Sequence, residues 1–82
     1  MDKKHLREAS AELRSILALN IRLLRGNMGI SQEELAALSG LHRTYVGSVE
    51  RGERNVTLSS LEAFSRAFGV SVPTLLCRPR QL

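Results

Sequence analysis

Residues 31–51, SQEELAALSGLHRTYVGSVER, decide the fold. Ser31-Gln-Glu-Glu34 has the form of a capping box, in which the serine hydroxyl accepts the amide three residues on and Glu34 reaches back to the serine amide. Leu35, Ala36 and Leu38 follow, and Ser39-Gly40 closes a short helix. Arg43 to Arg51 is the next helical candidate, with Val46 and Val49 on its inner side and Gly52 as its stop. Ala36 leaves room for a second helix to cross close by. Gly40 admits the positive φ that a sharp turn between helices often demands. A helical hairpin of a generic bundle has no need of Ala and Gly at both points, so the expected unit is two short helices crossing steeply across a tight turn.

Toward the N-terminus, Leu6, Ala9, Leu13, Leu17, Ile21 and Leu24 recur at three- and four-residue intervals, which predicts one long helix from about Asp2 to Arg25. Asp2 is a candidate cap at its start, and Gly26-Asn27 supplies residues that tolerate a left-handed stop. Asn20 falls inside this stretch and marks a place for a kink or for fraying of the more polar turns before it. Toward the C-terminus, Glu53-Arg-Asn55 reads as a loop. A fourth helix is expected to start near Thr57 or Ser59, the latter opening a second capping-box sequence, Ser59-Ser-Leu-Glu62. Leu58, Leu61, Phe64 and Phe68 form its apolar stripe, and Gly69 ends it. A short fifth helix follows Ser71, with Pro73 in its first turn and Leu75 and Leu76 apolar. No stretch alternates as a strand does. The chain therefore reads as all-α, a compact five-helix domain with an extended first helix. Residues 1–14 form an N-terminal extension, helical or frayed; residues 15–77 form the domain; residues 78–82 form a tail.

Composition narrows the function classes. The chain has 82 residues, 43% hydrophobic and 24% charged, with one cysteine and no tryptophan. One domain of this size buries only about 60% of its unfolded surface, so a homodimer would add burial. No apolar run approaches the roughly 18–20 residues of a membrane span, and Lys3 and Lys4 lead into mixed charge rather than a signal peptide. A cytoplasmic location is expected. The net charge is +4, and ten of the twelve cations are arginine, the residue suited to bidentate contacts with phosphate and guanine. His5 and His42 lack partners at metal-ligand spacing, and Cys77 has no nearby histidine or aspartate pattern for nucleophilic catalysis. Glu33 and Glu34 are early helix residues favoured by the helix dipole. No enzyme, metal, cofactor or small-molecule ligand is implied.

The segments IRLLRGNMGISQEELAALSG (21–40) and YVGSVERGERN (45–55) resemble the Cro and repressor-like helix-turn-helix domain of phage and bacterial regulators, the XRE family. The resemblance covers Ile21 to Leu76. Within that family, LHRTYVGSVERGERNVTLSSLEAF (41–64) is most similar to the controller proteins of restriction–modification systems. The resemblance implies a lambda-repressor-like fold whose recognition helix, starting at Arg43, enters the major groove N-terminus first. Arg43, Thr44 and Ser48 would then face base edges, with Arg43 suited to guanine O6 and N7 and Thr44 able to offer a hydroxyl or a methyl group. Gly47 would permit close approach without reading bases. Gln32, Tyr45, Arg54 and Asn55 would serve the DNA backbone or the loop beside it. Arg25 and Glu50 resemble a structural ion pair joining the first helix to the end of the third. Arg22 and Arg51 would reach phosphates or remain solvated.

Val56, Leu58, Phe68, Val70, Val72, Leu75 and Leu76 exceed what four short helices need to close one core, and the family dimerises through its last helices. The expected protein is thus a sequence-specific transcriptional regulator that binds a pseudo-palindromic operator as a homodimer and is autoregulatory, with a restriction–modification controller as the form the narrower resemblance implies. The alternative is an antitoxin-like interaction module that neutralises a protein partner and also binds DNA. Whether it activates or represses is open, as is the part the N-terminal extension plays in a dimer.

Overall fold

A computed structural model describes residues 10–79. Five helices follow one another: α1 (Ala11–Met28), α2 (Gln32–Ser39), α3 (Arg43–Glu50), α4 (Leu58–Phe68) and α5 (Val72–Leu76). No strand occurs among the described residues. The first helix packs on α3 and α5, α2 packs on α3 and α4, and α4 and α5 pack together.

The local signals are answered at most helix ends. Ser31 accepts the Glu34 amide at 3.0 Å while Glu34 accepts the Ser31 amide at 2.9 Å, the complete capping box. Gly40 ends α2 at φ +75°, a conformation that strains any residue with a Cβ. Ser71 caps α5, and Pro73 sits in its first turn, where the missing amide costs nothing.

Two boundaries differ from expectation, and a third is decided between the two starts expected for it. The first helix runs through Asn20 unbroken and passes Gly26-Asn27, ending at Met28 with Gly29 at φ +66°. There Gly29 donates to the Gly26 carbonyl and Ile30 to the Arg25 carbonyl, a Schellman closure that also brings Ile30 against the core. The apolar partner after Gly29 decides the stop, not the first glycine met. Ser10 caps the described helix through the Leu13 amide; Asp2, Leu6 and Ala9 lie outside the described residues. The third helix ends at Glu50, with Arg51 as its cap. Helix α4 starts from Thr57, whose hydroxyl accepts the Ser60 amide at 3.1 Å; Ser59 is instead the second helical residue and bonds the Thr57 hydroxyl.

Leu17, Ile21, Leu35, Ala36, Val46, Val49, Leu61, Phe64 and Leu75 form the core. Fully burying each large side chain contributes about 1.5–3 kcal/mol. Val46 and Val49 are buried as the spacing predicts, and Ala36 is the small residue at the α2–α3 contact. Two stripe residues are not in the core: Leu13 is partly exposed and Leu58, the first residue of α4, is 80% exposed. Conversely Leu75, expected at an interface, is fully buried within one chain. It lies on the inner side of α5 and closes the core over α1, so it has no surface to offer a partner. Asn20 holds α5 in place: its amide donates to the carbonyls of Leu75 and Cys77, each at 2.7 Å. Among the described residues no helix is long and apolar enough to cross a membrane.

Candidate nucleic-acid interface

The recognition unit is built on α3, and its two ends differ in kind. At the C-terminal end the Glu50 carboxylate is buried. Arg25 donates to both of its oxygens, from Nε at 2.6 Å and Nη2 at 3.0 Å, and Gln32 Nε2 donates to Oε1 at 3.1 Å. The third Arg25 nitrogen, Nη1, caps the Ile30 carbonyl at 3.0 Å. Arg22 donates to the Glu50 backbone carbonyl. Burial opposes the charge on Glu50. The hydrogen bonds from Arg25 and Gln32 and the charges of Arg25 and Arg22 outweigh it and hold the carboxyl below the usual carboxylate range. The same hydrogen bond raises the Arg25 pKa further above its already high value. An anion at a helix C-terminus is disfavoured by the dipole; two arginines from α1 compensate and so weld α1 to α3.

The N-terminal end is open. Arg43 and Thr44 are exposed, and the Arg43 side chain pairs with the exposed Glu33, 3.5 Å away, in a contact that water screens. His42 occupies the cap position without a side-chain cap bond, which leaves the first amides of α3 available to a ligand. One turn on, the loop after α3 folds back. Arg54 Nε donates to Ser48 Oγ at 2.8 Å, and its guanidinium lies 5.3 Å from the centre of the Tyr45 ring. The Tyr45 hydroxyl bonds Ser60 Oγ at 3.1 Å, joining α3 to the start of α4. Thr44 and Ser48 are one turn apart, so Thr44, Ser48 and the Arg54 side chain bonded to Ser48 lie along one face of α3.

Helix-turn-helix is the description of the family model that matches residues 21–75. The chain belongs to the helix-turn-helix family. This family consists of DNA-binding transcriptional regulators, not enzymes. Control protein C.SmaI of Serratia marcescens is 57% identical over 67 residues, which span 82% of this chain and 80% of that protein. Among solved structures, a hypothetical transcription factor from Neisseria superposes with a TM-score of 0.79 at 47% identity, covering 89% of this chain and 85% of its own. The restriction–modification controller protein C.AhdI from Aeromonas hydrophila superposes with a TM-score of 0.72 at 44% identity, covering 76% and 94%. The family's DNA-binding regulation applies to this chain, and the kinship with controller proteins covers its helix-turn-helix and the helices that follow.

Within this helix-turn-helix protein, one expected base contact needs correction. Ser48 is only 5% exposed, although the helical register puts it on the outward side. Arg54 covers it, and its proton is directed at the Tyr45 carbonyl 2.8 Å away. Arg22 is exposed and donates to the Glu50 carbonyl at the end of α3. Gln32 lies at the α2–α3 contact through its bond to Glu50. A Cβ at Gly47 would meet the flexible end of Arg51 at 3.3 Å and Gln32 Oε1 at an ordinary 3.5 Å, so packing against α2 does not by itself demand glycine there. Arg51 pairs with Glu53 at 3.1 Å, both exposed, and Asn55 is exposed in the loop. Asn20 went unnoticed as a structural residue. Its signal was present: it shares the face of Leu17 and Leu24, where a polar group needs a partner. Among the described residues no group of histidine, cysteine, aspartate and glutamate could hold a metal ion, and Cys77 is an exposed free thiol.

Proposed function

We propose that the protein binds a pseudo-palindromic operator as a homodimer through the exposed start of α3. Arg43 and Thr44 meet base edges in the major groove. Arg54 and Asn55, with Tyr45 behind them, serve the adjoining DNA backbone, and the amides at the start of α2 bind phosphate. The observation that carries this reading is the charge arrangement of α3: the acidic residue at its far end is neutralised internally while Arg43 stays exposed. A phosphate backbone therefore approaches the open end without meeting an unpaired carboxylate from this helix.

Two copies would pair through the surface around α4 and α5. Leu58 stands 80% exposed at the start of α4, and Val56, Phe68, Val70, Val72 and Leu76 are partly exposed around it in sequence. Pairing would double the contact with DNA and set half-sites about 10 bp apart, one helical turn. The likeness to C.SmaI and C.AhdI supports a controller of restriction–modification genes that acts on its own promoter in the cytoplasm, on nucleoid DNA.

Selection of bound sequences from random duplex DNA tests this directly. A two-fold repeat with half-sites near one helical turn is expected, and a single unrepeated motif would sink the dimeric reading. Sedimentation should show a dimer that Leu58→Ser weakens about tenfold, the loss of one partly buried leucine side chain. A stoichiometric small protein retained through purification, with no DNA selected, would favour the partner-neutralising module instead.

A further inference from the structure

Ser48 and Arg54 form a unit that the proposed base and backbone contacts do not explain. The Ser48 hydroxyl donates its proton to the Tyr45 carbonyl at 2.8 Å. With the proton committed there, the oxygen faces Arg54 as an acceptor and takes its Nε–H at 2.8 Å. The same guanidinium lies over the Tyr45 ring, its central carbon 5.3 Å from the ring centre. That ring is itself tied to the start of α4 through Ser60, whose oxygen also accepts the Thr57 hydroxyl at 3.1 Å. An arginine on a loop ordinarily samples many rotamers, and ordering it on binding costs conformational entropy. Here a buried serine and an aromatic face have ordered it beforehand. With Nε occupied, the edge left for a ligand is the Nη1–Nη2 pair, the end-on fork that suits two oxygens of a phosphate or the O6 and N7 of guanine.

We propose that Ser48 is a positioning residue: it reads no base itself but holds the Arg54 fork in the orientation that meets DNA. The proposal rests on the DNA-binding reading above and deepens it, since it separates the residues of α3 that touch DNA from one that acts through another side chain. Ser48 becomes necessary only when Arg54 is present, which is a property no purely structural serine has.

A double-mutant cycle measures this. The probe is the duplex recovered by the wild-type protein from random DNA, and melting of each free protein is followed alongside. Ser48→Ala is expected to weaken binding about three- to tenfold, the scale of one hydrogen bond to a charged group. In the Arg54→Ala background the same change should have no further effect. Ser48→Thr, which keeps the hydroxyl, should restore affinity. If Ser48→Ala fails to fold, Arg54→Lys replaces it: the charge stays but no Nε–H remains to be held, and a loss close to that of Arg54→Ala is expected. Equal losses from Ser48→Ala in both backgrounds, or unchanged affinity in Arg54→Lys, would overturn the positioning role. An Arg54→Ala protein that binds like wild type would overturn it too, while leaving the Arg43 reading intact. Recovery of no preferred duplex by the wild-type protein would remove both.

Discussion

At the N-terminal end of α3 the Arg43 side chain is 59% exposed and faces a single exposed carboxylate 3.5 Å away. At the C-terminal end Glu50 is 3% exposed and receives three hydrogen bonds from Arg25 and Gln32. Both are charged residues of the same eight-residue helix. The first stays accessible to solvent; the second is satisfied within the fold. A buried charge is tolerated only when paired and hydrogen-bonded. The network of Arg22, Arg25 and Gln32 meets that condition, and in doing so it sets the angle at which the open end is presented. In the proposed reading, stability and recognition are therefore divided along the helix axis.

Substitutions at the two ends should separate these properties. Glu50→Ala leaves Arg25 beside an empty site and should destabilise the fold by about 3 kcal/mol, read from urea denaturation. A loss below about 0.5 kcal/mol would mean that the network contributes no more than an exposed pair. Arg43→Ala should do the reverse. DNA affinity should fall by about 1–3 kcal/mol with specificity relaxed at one base position, while the free protein melts as before. Uniform weakening on every sequence would make Arg43 a phosphate contact. Asn20→Leu removes the donor shared by two carbonyls at the end of α5 and should cost about 1–2 kcal/mol in stability. Unchanged stability would show that water replaces the amide there.

Acid probes the same division more gently. Because the folded protein holds the Glu50 carboxyl below its unfolded value, the ion-paired form contributes stability above the usual carboxylate pKa of about 4.3. That contribution is lost as the pH falls through the depressed folded value. Melting temperature should decline on acidification below that range, and Glu50→Gln should decline less steeply. Parallel curves for the two proteins would remove Glu50 as a source of the acid sensitivity.

Much of this was legible from sequence because it depends on neighbours a few residues apart. The Ser31–Glu34 capping box, the Gly40 turn, and Val46 and Val49 on one side of α3 all follow from helical geometry and backbone sterics. The Arg25–Glu50 pair was legible only through family resemblance, since nothing local joins residues 25 apart. Where the local reading failed, a distant segment had intervened. Ser48 has an outward register, yet a loop arginine six residues later covers it. Leu75 reads as surplus apolar surface until α5 is seen to fold back on α1.

The sequence by itself thus determined five helices, most of their caps, the tight Gly40 turn between α2 and α3 and an exposed Arg43-Thr44 start to the third helix. Those features arise from hydrogen bonds and side-chain spacing within one or two turns, and they form wherever that stretch of chain goes. Tertiary structure decided which polar residues are used internally: Glu50 by Arg25 and Gln32, Asn20 by the carbonyls closing α5, Ser48 by Arg54. Each outcome is a burial cost matched by a partner from another element, and a partner's position exists only once the helices have packed.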